Sequence, residues 1–334
     1  VSPRLKAFLQ YIIIIGVTIF LIVLSLRGLQ GEDKWGYLKH TWENAHKEWL
    51  FFMAVVAIIS HILRAERWRM LMVPSGNHSK LSESFYSLMV GYLLNLVIPR
   101  GGEVSRCYNL YKLNSTPVDL SFGTVVVERI VDLLCLLVLI AISFGVESDK
   151  LFAFVDTLPL GQGDANGRFI VLLWIAAVAL VGVLVFFWLF KKNQRFQAFV
   201  LKTWSGLRQG LLSVFHLKNK GLFAFYSITI WLLYFLMSYA VLKAFPSTSG
   251  LGVTAVLSLF AIGSIAMAAP LPGGTGSYHV LVPQGLIFLY NVPRADAVAF
   301  TFIFHGWQTL IMIIGGSISL IVTSILVKKK STPL

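Results

Sequence analysis

Charge is what this sequence has least of. Only 13% of its 334 residues are Asp, Glu, Lys or Arg, and 57% are hydrophobic. Mean hydropathy is +0.76. A soluble domain averages about 25% charged residues. So few charges cannot cover the surface of a large soluble globule, which excludes that class and points to a polytopic membrane protein. Cysteine is also scarce. Cys107 and Cys135 form no CxxC pair, which excludes a disulfide framework and a cysteine zinc site. No HExxH or carboxylate–His spacing is present, so no metal is expected. No nucleotide-binding motif is present either, so no cofactor is expected, and any transport would be gradient-driven or equilibrating. Acids are scarcer than bases, giving a formal charge of +13. No basic domain stands apart from the apolar runs, so nucleic acid is not an expected partner. The Lys and Arg residues read instead as markers of cytoplasmic loops.

The apolar runs are long enough to cross a bilayer, which takes about 20 residues. Phe8 to Leu26 reads as a membrane anchor rather than a cleavable signal. Trp49 to Leu63 follows an interfacial segment bearing Trp35 and Trp42. Arg64, Arg67 and Arg69 after it mark a basic loop on the inner side, while His61 and Lys243, near span ends, read as snorkelling side chains. Ser121 to Phe144 precedes an acidic outer loop at 145–168, and Phe169 to Phe190 crosses back. Residues 191–221 carry seven Lys or Arg and no acid, which places them inside. Within them Phe196, Val200, Trp204, Leu207, Leu211 and Val214 recur at helical spacing, as in an amphipathic helix on the inner leaflet. Leu222 to Phe245 and Ala297 to Val327 complete six full spans. Lys328, Lys329 and Lys330 place the C-terminus inside with the N-terminus.

Two stretches break this pattern. Ser84 to Ile98 runs into Pro99-Arg100-Gly101-Gly102-Glu103-Val104-Ser105-Arg106, and the chain resumes from Val104 to Val118. Leu251 to Ala269 runs into Pro270-Leu271-Pro272-Gly273-Gly274-Thr275-Gly276, followed by Ser277 to Tyr290. Each reads as a re-entrant helical hairpin. Irregular backbone at membrane depth is tolerated only where protein or a polar cavity meets its polar groups. The order span, span, broken hairpin, span occurs at 8–144 and again at 169–327, starting from opposite sides. The expected fold is therefore an all-α polytopic membrane protein, one integral domain over 1–334, with six spans and two re-entrant hairpins in an inverted-topology repeat. Matched breaks of this kind point to a transport site.

The stretch Pro99 to Arg106 resembles the P-x-R-x-G-E-x-x-R signature of the lysylphosphatidylglycerol synthase transmembrane (flippase-like) family. Val127-Glu128-Arg129-Ile130-Val131-Asp132 resembles its E-R-x-x-D, and Pro270 to Gly276 its P-x-P-G-G-x-G. The resemblance covers most of the chain in matching order. The chain departs from it at His279, where the family often has Glu, and near His305, where it often has Arg or Tyr. The family's best-known members add an aminoacyl-transferase domain. The longest hydrophilic loop here, 191–221, is too short for one, so lipid synthesis is not expected of this chain.

The resemblance implies movement of a phospholipid or lipid-linked anionic headgroup across the bacterial cytoplasmic membrane. The lipid would be anionic or aminoacylated, and a separate lipid-modifying synthase is an expected partner. Oligomeric state is left open. Residues expected to meet the headgroup are Arg100, Gly101, Gly102, Glu103 and Arg106 at the first break. Glu128, Arg129 and Asp132 join them from the next helix, and Gly273, Gly274, Gly276, His279 and His305 from the second break. Arg106 and Arg129 would hold the phosphate, aided by amides after Gly101-Gly102. The same charges could instead pair with one another and pin the hairpin. Two other functions fit the residues: a membrane enzyme acting on polyprenyl-phosphate sugars, and a secondary transporter of a small anion.

Overall fold

A computed structural model describes residues 18–27, 33–157, 212–269 and 271–331, with isolated positions at 16, 191–194, 197, 201, 204 and 208. The Phe169–Phe190 span, most of the 191–221 connector, the start of the first span and Pro270 lie outside the described residues.

The described chain is helical and has no strand. The order is α1 (18–26), α2 (Lys34–Asn44), α3 (Lys47–Met72), α4 (Leu81–Asn95), α5 (Gly101–Asn114) and α6 (Val118–Thr157). Then come α7 (Lys220–Ala244), α8 (Val253–Ala268), α9 (Ser277–Tyr290) and α10 (Arg294–Ser331). Among the described residues, three segments are long and apolar enough to cross a membrane: Lys47–Ser75, Lys220–Ala244 and Arg294–Lys329. Phe51, Val55, Ile58, Ile59 and Ile62 form an exposed apolar face on α3. Leu310, Ile313, Ile314, Ile318, Ile321 and Ile325 do the same on α10. Faces this apolar at helical spacing are stable against lipid rather than water. The protein is an all-α membrane protein.

Two expected boundaries move. The second span does not stop at Leu63, because α3 continues to Met72. Arg64 and Arg67 face inward on it and are buried, so they do not open a solvated loop. Likewise α6 continues to Thr157, past the expected end at Phe144, with a kink at Glu147 (φ −132°, ψ 43°). The Glu147 carboxylate accepts hydrogen bonds from Ser258 on α8 (2.7 Å) and Tyr290 on α9 (2.5 Å), and Lys150 reaches it at 2.9 Å.

Both broken hairpins form. The core packs α3 (Leu50, Met53, Val56) against α7 (Met237, Val241), α9 (Val282, Leu286) and α10 (Phe300, Phe304). The first hairpin, α4–α5, closes because Gly91 and Gly102 let its arms touch. A Cβ on Gly102 would lie 2.1 Å from the Gly91 carbonyl oxygen. Its tip turns at Arg100, held in the left-handed region (φ 60°). The second hairpin, α8–α9, turns through Gly273, Gly274 and Gly276, all at positive φ, where glycine alone is unstrained. The two tips meet. Arg100 Nη2 donates to the Ala268 carbonyl at 2.8 Å, and Leu96 lies beside Gly273.

Gly102→Ala forces two backbones apart, so it should destabilise the detergent-purified protein by about 1–3 kcal/mol, read as a lower thermal midpoint. Gly250→Ala, which meets nothing within 4 Å, should leave the midpoint unchanged in the same scan.

Candidate functional site

The site begins with the spacing of charges on two helices. On α3, Arg64, Arg67 and Trp68 share one face at i, i+3 and i+4; on α6, Glu128 and Asp132 share one at i, i+4. These faces meet. Arg64 Nη2 lies 2.6 Å from Glu128 Oε1 and 3.1 Å from Asp132 Oδ2. Arg67 Nη2 lies 2.7 Å from Asp132 Oδ1. From α5, Arg106 Nη2 reaches Glu128 Oε2 at 2.6 Å, its guanidinium 4.5 Å over the Trp68 ring. Arg129 Nη2 reaches Glu128 Oε1 at 2.8 Å and Asp132 Oδ2 at 3.3 Å. Neutral groups complete the shell: Arg64 donates to the Tyr234 hydroxyl (2.7 Å) and Arg67 to Ser227 (3.3 Å). Glu128 is fully buried.

Four guanidinium groups thus surround two carboxylates, leaving two positive charges in excess in a low-dielectric interior. Such an excess favours an incoming anion, most of all one that accepts charge-assisted hydrogen bonds.

Beside the cluster is a cavity of about 520 Å3, lined by residues of both breaks. Arg100 and Glu103 line it from the first break, Gly273 and Gly274 from the second, with Arg129, Asp132 and His305 between. The Arg129 side chain keeps 39% of its surface exposed, far more than Arg64, Arg67 or Arg106. Glu103 Oε2 and the Nε atoms of Arg64 and Arg129 are buried without a hydrogen-bond partner among the described residues. Cavities of roughly 300–1,000 Å3 with a few convergent polar groups are the usual setting for small ligands.

The remaining expected site residues stand behind this wall. Arg106 and Glu128 belong to the ion cluster and do not line the cavity. At the first break the amides of the two glycines are themselves in use: Gly101 N–H donates to the Ile98 carbonyl (2.9 Å) and Gly102 N–H to Asn95 Oδ1 (2.8 Å). Gly102 serves the close approach of α4 and α5. His279 and His305 pack 4.7 Å apart, ring to ring, and hold the second break in shape. His305 Nε2–H donates to the Gly273 carbonyl (3.0 Å), and His279 Nδ1 accepts from Gly276 N–H (3.3 Å). No group of three or more His, Cys, Asp or Glu side chains is placed to hold a metal among the described residues.

Sequence reasoning missed Arg64, Arg67, His61 and Tyr92. His61 does not snorkel; it is buried in the cavity wall with its ring 4.8 Å from Tyr92. The signal was present, since apolar residues resume at Trp68, Met70, Leu71 and Met72 after the arginines. A helix that continues in this way carries its arginines inward.

A helical membrane protein with an arginine-rich cavity between two broken hairpins defines the class. The chain belongs to the family described as the lysylphosphatidylglycerol synthase TM region, whose profile matches residues 11–316. It is similar to UPF0104 membrane protein MJ1595 of Methanocaldococcus jannaschii, at 22% identity over 93% of this chain and 94% of that protein. It is also similar to glycosyltransferase AglD of Haloferax volcanii, at 25% identity over 79% of this chain and 47% of that protein, so it spans about half of AglD. No solved structure matches.

Removing one partner from a buried ion cluster costs about 3–5 kcal/mol. Glu128→Gln should therefore destabilise the protein severely in detergent thermal scans. Adding Arg106→Met should recover part of the loss, because it removes one of the orphaned charges.

Proposed function

We propose that this protein moves a lipid bearing an anionic headgroup across the membrane. The headgroup passes through the cavity between the two breaks while its tails stay in the bilayer. The observation that carries the reading is the excess of guanidinium over carboxylate around a cavity that both hairpin tips line. Arg129, with Arg100 and Arg64 at its sides, meets the phosphate; Glu128 and Asp132 hold the arginines in place. Glu103 and Asp132 face the cavity as acceptors for donors on the headgroup. The open apolar faces of α3 and α10 suit a protein surrounded by its own substrate. Excess Lys and Arg in 191–221 and at 328–330 supports the cytoplasmic membrane with both termini inside. A separate enzyme that builds the lipid is the natural partner.

A second reading has one observation in its favour: the similarity to a protein named as a glycosyltransferase. In that reading the same arginines hold a lipid phosphate while a sugar is transferred.

The test is a proteoliposome assay with headgroup-labelled anionic lipids and an impermeant quencher. Wild type should expose inner-leaflet label above protein-free vesicles. Arg129→Gln should slow exposure about tenfold, as expected for loss of a charge-assisted hydrogen bond. Arg129 is the informative position, since it lines the cavity and is the most exposed arginine of the cluster, whereas Arg106 is buried behind the wall. Failure of folded wild type to move any anionic lipid would overturn the proposal, and a sugar-bearing product made by the purified chain would favour the second reading.

A further inference from the structure

The arginines account for one end of the cavity. Apart from the arginines and the carboxylates Glu103 and Asp132, its wall is built from neutral groups, several of them idle. Tyr92 hydroxyl, Trp231 Nε1 and His61 Nδ1 are buried and have no hydrogen-bond partner among the described residues. All three side chains line the cavity, on α4, α7 and α3 respectively. A buried polar atom without a partner costs about 1–3 kcal/mol. Three of them, on side chains from three helices that line one cavity, leave hydrogen-bonding capacity in its wall that a ligand able to donate and accept would meet after a small side-chain shift. They lie next to the cationic end: the Arg64 guanidinium sits 5.9 Å over the Tyr92 ring, and the Tyr92 ring lies 4.8 Å from that of His61, tilted against it. Ser264, Gln308 and Thr309 add further neutral donors and acceptors to the same wall.

The wall also presents aromatic planes. Trp231 packs with Tyr234 (6.1 Å) and Phe260 (5.8 Å) on one side. Tyr278 packs with Phe304 (6.1 Å) and His305 (5.5 Å) on the other. All of these line the cavity.

The donor chemistry discriminates between headgroups. An indole N–H only donates, and an ammonium group only donates. An amine-headed lipid would therefore leave Trp231 unsatisfied and bond only to acceptors such as Glu103. An acyl chain would satisfy none of the three. Hydroxyl groups both donate and accept, so a polyol can meet Trp231, Tyr92 and His61 together. A pyranose ring also offers apolar C–H faces to aromatic planes while its rim makes hydrogen bonds. We infer that the headgroup carries a sugar on its phosphate: the phosphate lies at Arg129, Arg64 and Arg100, and the sugar lies among Tyr92, His61 and Trp231. This rests on the proposed anionic-lipid function and names the headgroup it takes.

The test is competition binding to the full chain in nanodiscs. The probe is radiolabelled short-chain polyprenyl phosphate, displaced by unlabelled polyprenyl phosphate, by its monoglycosyl ester, or by phosphatidylethanolamine. The glycosyl ester should compete at about tenfold lower concentration than polyprenyl phosphate, the size of one or two net hydrogen bonds. Trp231→Phe and Tyr92→Phe should each pull that ratio toward one. Arg129→Gln should weaken both phosphates alike and keep the ratio. Equal competition by the two phosphates, or stronger competition by the ethanolamine lipid, would overturn the sugar assignment and leave the anionic-lipid function standing. No binding of either phosphate by folded protein would overturn both.

Discussion

The structure hangs on a fully buried carboxylate, Glu128, gripped from three helices. Arg64 comes from α3, Arg106 from α5, and Arg129 from its own helix α6. At membrane depth an ionised side chain is tolerated only when paired or facing a polar cavity. The first hairpin is therefore docked by charge where hydrophobic packing alone would leave it free to slide. Lipid tails are as apolar as leucine, so burial gives no preference for protein neighbours over lipid. Polar contacts must supply specificity, and here one cluster sets the positions of α3, α5 and α6 together.

The two halves divide the chemistry. The first supplies charge: Arg64, Arg100, Glu103, Arg106, Glu128, Arg129 and Asp132 all lie on it. The second places no charged side chain in the cavity wall among the described residues. Its break is shaped by neutral bonds. Ser277 Oγ donates to the Ala266 carbonyl (2.7 Å), and His305 holds Gly273. A headgroup in the cavity therefore meets a cationic wall on one side and hydroxyls, indole and backbone on the other. Under the proposed function, that asymmetry would orient a two-part headgroup in a way that a symmetric pore could not.

Much of this was legible in the sequence. The Pro99–Arg106 and Pro270–Gly276 breaks announce themselves in the sequence, because Pro and clustered Gly disfavour a continuing helix and charge cannot sit freely in lipid. Glu128 and Asp132 were readable as one face from their spacing. Arg64 and Arg67 were legible only in part: the apolar residues after them imply that the helix continues, but the rule that assigns basic residues to cytoplasmic loops counts charges without knowing which way they point. Their partners lie more than 60 residues away, a distance no local pattern reports. The glycines show the same limit. A Gly-Gly pair opening a helix looks like an anion site, yet Gly102 is there so that α4 and α5 can touch, and only the packed hairpin shows that Asn95 has taken its amide.

The meeting of the tips adds a constraint on any passage through the protein. The contact between Arg100 and Ala268 joins segments 168 residues apart and fixes the two breaks against each other. Arg100 holds a left-handed backbone there, a conformation that costs a non-glycine residue about 1–2 kcal/mol. A bond from a guanidinium to a carbonyl offsets a cost of that size. The far end of the second hairpin differs. There the Glu147 carboxylate accepts bonds from both arms, through Ser258 and Tyr290. The hairpin is thus tied at its base by Glu147 and shaped at its tip by Ser277, His279 and His305, with Arg100 adding the bond to the first hairpin. Under the proposed function, a headgroup passing between the breaks would part the contact at Arg100 by offering its guanidinium a better acceptor than a backbone carbonyl.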